Sequence, residues 1–316
     1  MAAVILNDVT LREGVQVALK PIGPHEKATI GHLLDEAGVP QLQIGYPGRS
    51  EADREAVRLL KGSGCHAYLE GLCSLGGEGW ADEIATAVAS GIDRLVLVFP
   101  IADYRLSDVM HITRQVALER ISAGIRHGRA LGVPIALAPI EGSRSDPTFL
   151  REVLDAAVLA GADRFYLVDT VGVLYPRQTT HLVTILKPSP SLLLGIHAHN
   201  DFGCALANSL AAIEAGVEVV DVSVAGLGKR AGNAALEQMT LALHMAYGLT
   251  SGVHLESLYS LARQITEILG TPLSPVQPLV GANAFDFEVD TALRGTSAHT
   301  VVSGISRTMV GHPGNS

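Results

Sequence analysis

Phe149-Leu150-Arg151-Glu152-Val153-Leu154-Asp155-Ala156-Ala157-Val158-Leu159-Ala160-Gly161-Ala162-Asp163-Arg164-Phe165-Tyr166-Leu167-Val168-Asp169-Thr170 holds one repeating unit of this chain. Residues 149–160 carry apolar side chains at helical spacing, and Gly161 follows an alanine as a helix stop. Residues 164–170 are a short, β-rich apolar run that ends on two polar side chains. The same unit recurs outward in both directions. Apolar runs lie at 4–10, 41–46, 66–72, 94–100, 134–141, 164–170, 193–199 and 219–226, with amphipathic stretches such as 81–90 and 118–131 between them. Gly38, Gly132 and Gly216 repeat the stop seen at Gly161. Strands alternating with helices predict a parallel sheet of class α/β, and eight such units without a linker predict a closed (β/α)8 TIM barrel. A doubly wound dinucleotide-binding sheet is the alternative, but no strand here leads into G-x-G-x-x-G.

The barrel is expected over residues 1–250, with helices at 234–247 and 255–269. Residues 251–316 then form a short carboxyl-terminal helix and an irregular arm. Beyond Pro272 the chain is rich in Pro, Gly, Ser and Thr, which suits either an arm packed on the barrel or a partly disordered end. A length of 316 residues with 47% hydrophobic content supports a large core. No basic-flanked apolar leader and no apolar stretch of about twenty residues is present, so a soluble, cytoplasmic protein without membrane contact is expected. A net charge of −9 argues against a nucleic-acid partner. Cys65, Cys73 and Cys204, odd in number and without metal-type spacing, read as reduced residues.

In such a barrel the functional groups gather at the carboxyl ends of the strands. The first run ends Asp8-Val9-Thr10-Leu11-Arg12-Glu13-Gly14-Val15-Gln16, with two carboxylates and an arginine at one rim. The seventh ends His197-Ala198-His199-Asn200-Asp201, where strand alternation puts both imidazoles on one face. The eighth leads into Gly226-Leu227-Gly228-Lys229-Arg230-Ala231-Gly232-Asn233, a turn able to bring Asn233 back over the mouth. Two imidazoles with carboxylate and amide oxygens suit one divalent ion, Zn, Mn, Co or Mg. The plainer alternative is a pair of buried histidines satisfied by carbonyls.

Leu11-Arg12-Glu13-Gly14, Asp169-Thr170-Val171-Gly172, the block 197–201 and the turn 228–233 together resemble the metal-dependent DRE-TIM lyase superfamily, over about residues 4–247. Within it they resemble the 2-isopropylmalate, homocitrate and citramalate synthases, which condense an acyl-CoA with a 2-oxo acid. The resemblance implies Glu13, His197 and His199 as metal ligands, with Asn233 as a fourth ligand or close neighbour. Arg12 would hold the oxo group or its developing alkoxide, and Thr170 the substrate carboxylate. Plainer roles are an ion pair of Arg12 with Asp8 or Asp169, and an ordinary strand-end hydroxyl for Thr170. Glu141, Arg144, Ser145 and Asp146 are similar to the synthases' E-D-x-x-R-S-D stretch, which adds Glu141 as a catalytic candidate and Arg144 as a substrate-binding one. Gln16 joins the substrate-binding candidates at the first rim. The cosubstrate implied is an acyl-CoA such as acetyl-CoA, and the assembly implied is a homodimer.

Three departures stand out. Lys229 occupies the position of the Glu in G-E-R-x-G-N. The stretch 280–290 resembles V-G-x-N-A-F-A-H-E-S-G-I-H but carries Phe287 in place of its first histidine, leaving His299 or His312 as replacements. The regulatory carboxyl-terminal domain of many synthases is not expected. A condensing acyltransferase is the leading reading, a lyase or aldolase on the same scaffold the second, and an accessory binding subunit the third. Arg105, after the fourth run, falls near the histidine of an S-x-x-H pattern. It either pairs with Asp103 or Asp108, or joins Arg12, Arg144, Lys229 and Arg230 in a basic rim suited to a dianionic acceptor.

Overall fold

The computed structural model describes residues 4–187, 192–285 and 304–313. Eight strands close into a parallel barrel in chain order: β1 (Ile5–Asp8), β2 (Gln41–Gly45), β3 (Tyr68–Ser74), β4 (Arg94–Pro100), β5 (Ile135–Ile140), β6 (Arg164–Asp169), β7 (Leu193–Ala198) and β8 (Val219–Val222). The β1–β8 pairing that closes it sets Ile5 against Val219 and Asp8 against Val222. Helices α1 (Pro24–Glu36), α2 (Glu51–Gly62), α3 (Trp80–Ala89), α4 (Arg114–Ala130), α5 (Pro147–Ala160), α6 (Pro176–Leu186), α7 (Ala205–Ala215) and α8 (Leu236–Tyr247) each follow their strand, and α9 (Leu258–Leu269) packs on α1. Among the described residues no helix is long and apolar enough to cross a membrane.

Local chemistry sets the boundaries. Side chains of Ser50, Thr113 and Asp146 accept the free amides that start α2, α4 and α5, and Pro147 fits the first turn of α5. Gly161, at φ +98°, ends α5 in the left-handed region. The third strand begins later than the run at 66 because the amides of His66 and Ala67 donate to Asp35 instead of a neighbouring strand. The eighth stops at Val222, short of 226: Val224–Gly226 turns as a 3₁₀ helix through Ala225 at φ +54°. The helix expected from 234 starts at Leu236, since Ala235 is still extended.

Alternation gives each strand two burial environments. On β6, Phe165 and Leu167 join the layer between sheet and helices, while Arg164, Tyr166 and Val168 point into the barrel. Each fully buried Leu, Ile, Val or Phe of the outer layer contributes about 1.5–3 kcal/mol. Inside, Leu72, Val96, Val98, Ala136 and Val168 make an apolar belt. Deeper lies a polar floor. Glu70 accepts from Arg164 at 2.7 Å and from Asn7 at 3.1 Å, and Asn7 donates to Asp221 at 2.8 Å. The described part of the tail packs as an arm: His312 lies against Tyr259 and Phe285, and its Nε2 is 2.9 Å from the carbonyl of Gly281. Phe287 and His299 lie outside the described residues.

Candidate metal centre

Glu13, His197 and His199 are brought together where β1 and β7 end. After β1 the chain turns back on itself through amide bonds from Arg12 and Glu13 to the carbonyl of Val9, and Thr10 accepts from the amide of Val224, which ties this turn to the β8 loop. Residues 197 and 199 alternate onto the inner face, with their rings nearly perpendicular and 4.9 Å apart. Glu13, His197 and His199 are all buried, and their ligand atoms lie within 4.8 Å of one another. His199 Nε2 is 3.8 Å from Glu13 Oε2, and His197 Nε2 is 4.0 Å from Glu13 Oε1.

Both imidazoles present the correct nitrogen. His197 Nδ1 donates to Asp221 Oδ2 at 2.9 Å, and His199 Nδ1 donates to the carbonyl of Asp169 at 3.2 Å. Neither acceptor can donate a proton, so each Nε2 keeps its lone pair for the cavity. Burial pushes the His197 pKa down against the opposing pull of Asp221, which favours the neutral, metal-binding form. Burial would raise Glu13, but Arg12 beside it, with His199, His197 and Lys229, holds the carboxyl well below the usual carboxylate range. Glu13 Oε2 and His199 Nε2 are buried without a hydrogen-bond partner. Two nitrogens and a carboxylate oxygen bound to one ion at ~2.1 Å stand about 3–3.5 Å apart. The residues present therefore fit a divalent cation.

Asn233 reaches this corner through the glycine turn. A Cβ on Gly228 would fall 2.2 Å from Asn233 Nδ2, and one on Gly232, already at φ +81°, would fall 1.8 Å from the carbonyl of Gly226. Only glycine permits this path. Asn233 then bridges to His199, donates through Nδ2 to the carbonyl of Leu227 at 3.2 Å, and leaves Oδ1 buried and unpartnered.

A cavity of about 160 Å³ opens over the site, with Arg12, Glu13, Thr170, His197, His199 and Lys229 among its lining residues. Arg12 pairs with Glu13 Oε1 and Gln43 Oε1, not with Asp8 or Asp169. Lys229 Nζ is 3.7 Å from the same Glu13 oxygen. The other candidates sit outside the cavity lining. Gln16 donates to the carbonyl of Arg12 at 3.0 Å. Glu141, in a left-handed conformation at φ +67°, accepts from Tyr104 at 2.9 Å and from Arg144 Nε at 2.7 Å. Arg105 lies 3.6 Å from that carboxylate; Asp103, one of its expected partners, pairs with Arg114 instead. Thr170 Oγ1 accepts the Glu141 amide at 2.8 Å, which leaves its own proton for the cavity. Arg230 is held by Asp201. His312 does not line the cavity. Sequence reasoning missed Asp221, Gln43 and Tyr104. The signal for Asp221 was a lone carboxylate inside the apolar run Val219-Val220-Asp221-Val222.

A family model described as HMGL-like matches residues 3–265. The chain belongs to the HMGL-like family. Among its relatives in that family, the homocitrate synthase AksA of Methanopyrus kandleri is 37% identical over 90% of this chain and 71% of its own length. A probable 2-isopropylmalate synthase of the same organism is 37% identical over 93% of this chain and 57% of its own. The putative (R)-citramalate synthase CimA of Methanoculleus marisnigri is 35% identical over 93% of this chain and 56% of its own length. Among solved structures, the Bacillus subtilis HMG-CoA lyase aligns with a TM-score of 0.73 at 23% identity, over 86% of this chain and 96% of that one, a likeness of fold.

Proposed function

We propose that this HMGL-like chain is a metal-dependent synthase that joins an acyl-CoA, such as acetyl-CoA, to a 2-oxo acid by Claisen-type condensation. The observation that carries this is the juxtaposition of a three-ligand metal corner with Arg12 and Thr170 in one cavity; the names of the relatives point to the same chemistry. Glu13, His197 and His199, with Asn233 beside them, would hold a divalent ion, which would supply Lewis acidity toward the oxo group of a 2-oxo acid. Thr170 donates its free proton to the substrate carboxylate. Arg12, fixed by Gln43 and Glu13, stabilises the negative charge that gathers on the former oxo group as the carbon–carbon bond forms. Loss of a proton from the acyl methyl group precedes that bond, and hydrolysis of the thioester afterwards releases free CoA. Glu141 anchors Tyr104, Arg144 and Arg105 at the β4–β5 rim, on the approach to the cavity. A homodimer completes the reading.

Thiol release from acetyl-CoA in the presence of Mn²⁺ and a panel of 2-oxo acids tests the reaction. Release that needs both the metal and a 2-oxo acid, with a product that carries a new hydroxyl and one carboxylate more than the acceptor, is the expected result. Cleavage of 3-hydroxyacyl-CoA thioesters without any condensation would overturn it in favour of a lyase.

A further inference from the structure

We propose that Lys229 sets the charge of the acceptor: its ammonium pairs with Glu13 in the metal-free site and with a second acidic group on the 2-oxo acid once metal is bound. This rests on the condensing reading above and adds to it the class of acceptor and the residue that selects it.

The charges in the cavity carry the inference. Its lining holds two acidic residues, Glu13 and Asp221, and two basic ones, Arg12 and Lys229, whose formal charges cancel. A divalent ion leaves the site two positive charges in excess. A 2-oxo acid with one carboxylate neutralises half of that excess, and a second acidic group neutralises the rest.

Geometry decides which cation meets that second group. Arg12 is buried and fixed between Gln43 and Glu13. Arg105 and Arg144 are engaged by Glu141, and Arg230 by Asp201. Among the described residues, Glu13 alone forms an ion pair with Lys229, at 3.7 Å, beyond hydrogen-bond distance. The oxygen it faces already holds Arg12. Its side chain is 46% exposed, with room to swing from Glu13 across the cavity. When Glu13 turns its oxygens to a cation, Arg12 stays buried and tied to Gln43, whereas Lys229 is the exposed lining cation left without a partner. An ammonium beside the metal position opposes metal binding and attracts anionic substrate, so metal affinity and acceptor selectivity trade off through this one side chain.

The test is a pair of titrations on the full chain, wild type against Lys229→Met, with Lys229→Arg as the variant that keeps the charge. Calorimetric binding of Mn²⁺ to metal-stripped protein should be about tenfold tighter in Lys229→Met, because one repelling charge is gone. With Mn²⁺ bound, oxaloacetate and 2-oxoglutarate should bind about 10–100-fold more weakly to Lys229→Met, while 2-oxobutyrate and 2-oxovalerate change less than about twofold. Lys229→Arg should restore most of the affinity for the dianions. Equal losses for both classes of acid, or unchanged Mn²⁺ affinity, would overturn the proposal. If wild type bound Mn²⁺ but no 2-oxo acid of either class, the condensing reading itself would fall, a result separable from the first by the acids that bind no protein at all.

Discussion

The corner of the mouth where β1, β7 and β8 end and the rim where β4 and β5 end both bury a carboxylate among cations. At the rim, Glu141 has a donor on each oxygen: Tyr104 on one, with Arg105 nearby, and Arg144 on the other. At the corner, Glu13 Oε2, His199 Nε2 and Asn233 Oδ1 are buried with no protein partner, although Arg12 crowds Glu13 Oε1. An unmade bond to a buried polar atom costs about 1–3 kcal/mol, a cost that a bound cation would relieve at the corner and that the rim does not carry. The rim has a donor on each carboxylate oxygen; the corner leaves three polar atoms without a hydrogen bond.

Removing ligands from the corner should have the largest effect. His197→Ala/His199→Ala is expected to bring bound divalent metal, measured by elemental analysis, to background and turnover with it. Glu141→Gln should keep its metal and instead lose about 1–2 kcal/mol of stability in denaturant unfolding, since two arginines then face a neutral amide. Equal metal loss in the two variants would erase the distinction.

Arg12→Lys sharpens the comparison within the corner. A compact ammonium cannot hold Gln43 and Glu13 and also present a second donor to substrate, as the guanidinium fork does. Turnover is expected to fall about 10²–10³-fold with metal content unchanged. Turnover at the wild-type level would remove Arg12 from the chemistry.

A milder change acts through the floor of the barrel. Asp221 accepts from His197 on one oxygen and from Asn7 on the other, and so fixes which imidazole nitrogen faces the metal position. Asp221→Asn offers an amide that can donate, allowing the ring to settle in its other tautomer. Metal affinity should weaken about 10–100-fold, as for other partners of metal-binding histidines. Asp221→Glu with unchanged affinity would be no contradiction; Asp221→Asn with unchanged affinity would be.

These two regions were unequally legible in the sequence. The corner was visible because its residues sit at strand ends and alternate in a local pattern: Glu13 after β1, and His197 and His199 two apart on β7. The barrel itself was visible because the unit repeats. Asp221 was not, since its meeting with His197 depends on the parallel register of β7 and β8, which sets Gly195 against Val219 and so brings His197 level with Asp221 across 24 residues of chain. The partner of Arg105 was hidden for the same reason. Asp103 and Asp108 were near in sequence, whereas Glu141 arrives from the next strand, turned inward by its left-handed backbone. Strand ends at 66 and 226 were misplaced because side-chain acceptors and a 3₁₀ turn, not hydropathy, close those ladders.

The smallest expected effect comes from buried carboxylates that lack a partner without belonging to a metal site. Asp8 Oδ2 and Glu237 Oε1 are buried and unpartnered beneath the β8 loop, where Asp8 also accepts from the amide of Thr10 and Glu237 from that of Ala225. A buried carboxyl group without a donor has a remedy of its own: it can keep its proton. Burial pushes both acids up to about 7, from 3.8 for Asp8 and 4.5 for Glu237, with the amide bonds pulling the other way. The folded chain therefore holds protons that the unfolded chain has released between about pH 4 and pH 7. Stability from these groups is fully present below pH 4 and is lost as pH rises through 7. Asp8→Asn keeps the acceptor for Thr10 and removes the titration. The stability of wild type relative to this variant should then fall by roughly 1–3 kcal/mol between pH 4.5 and pH 8, read by urea unfolding at each pH. A difference that stays flat or rises with pH would mean that Asp8 is ionised in the folded chain, and that the loop above it supplies a donor to the second oxygen.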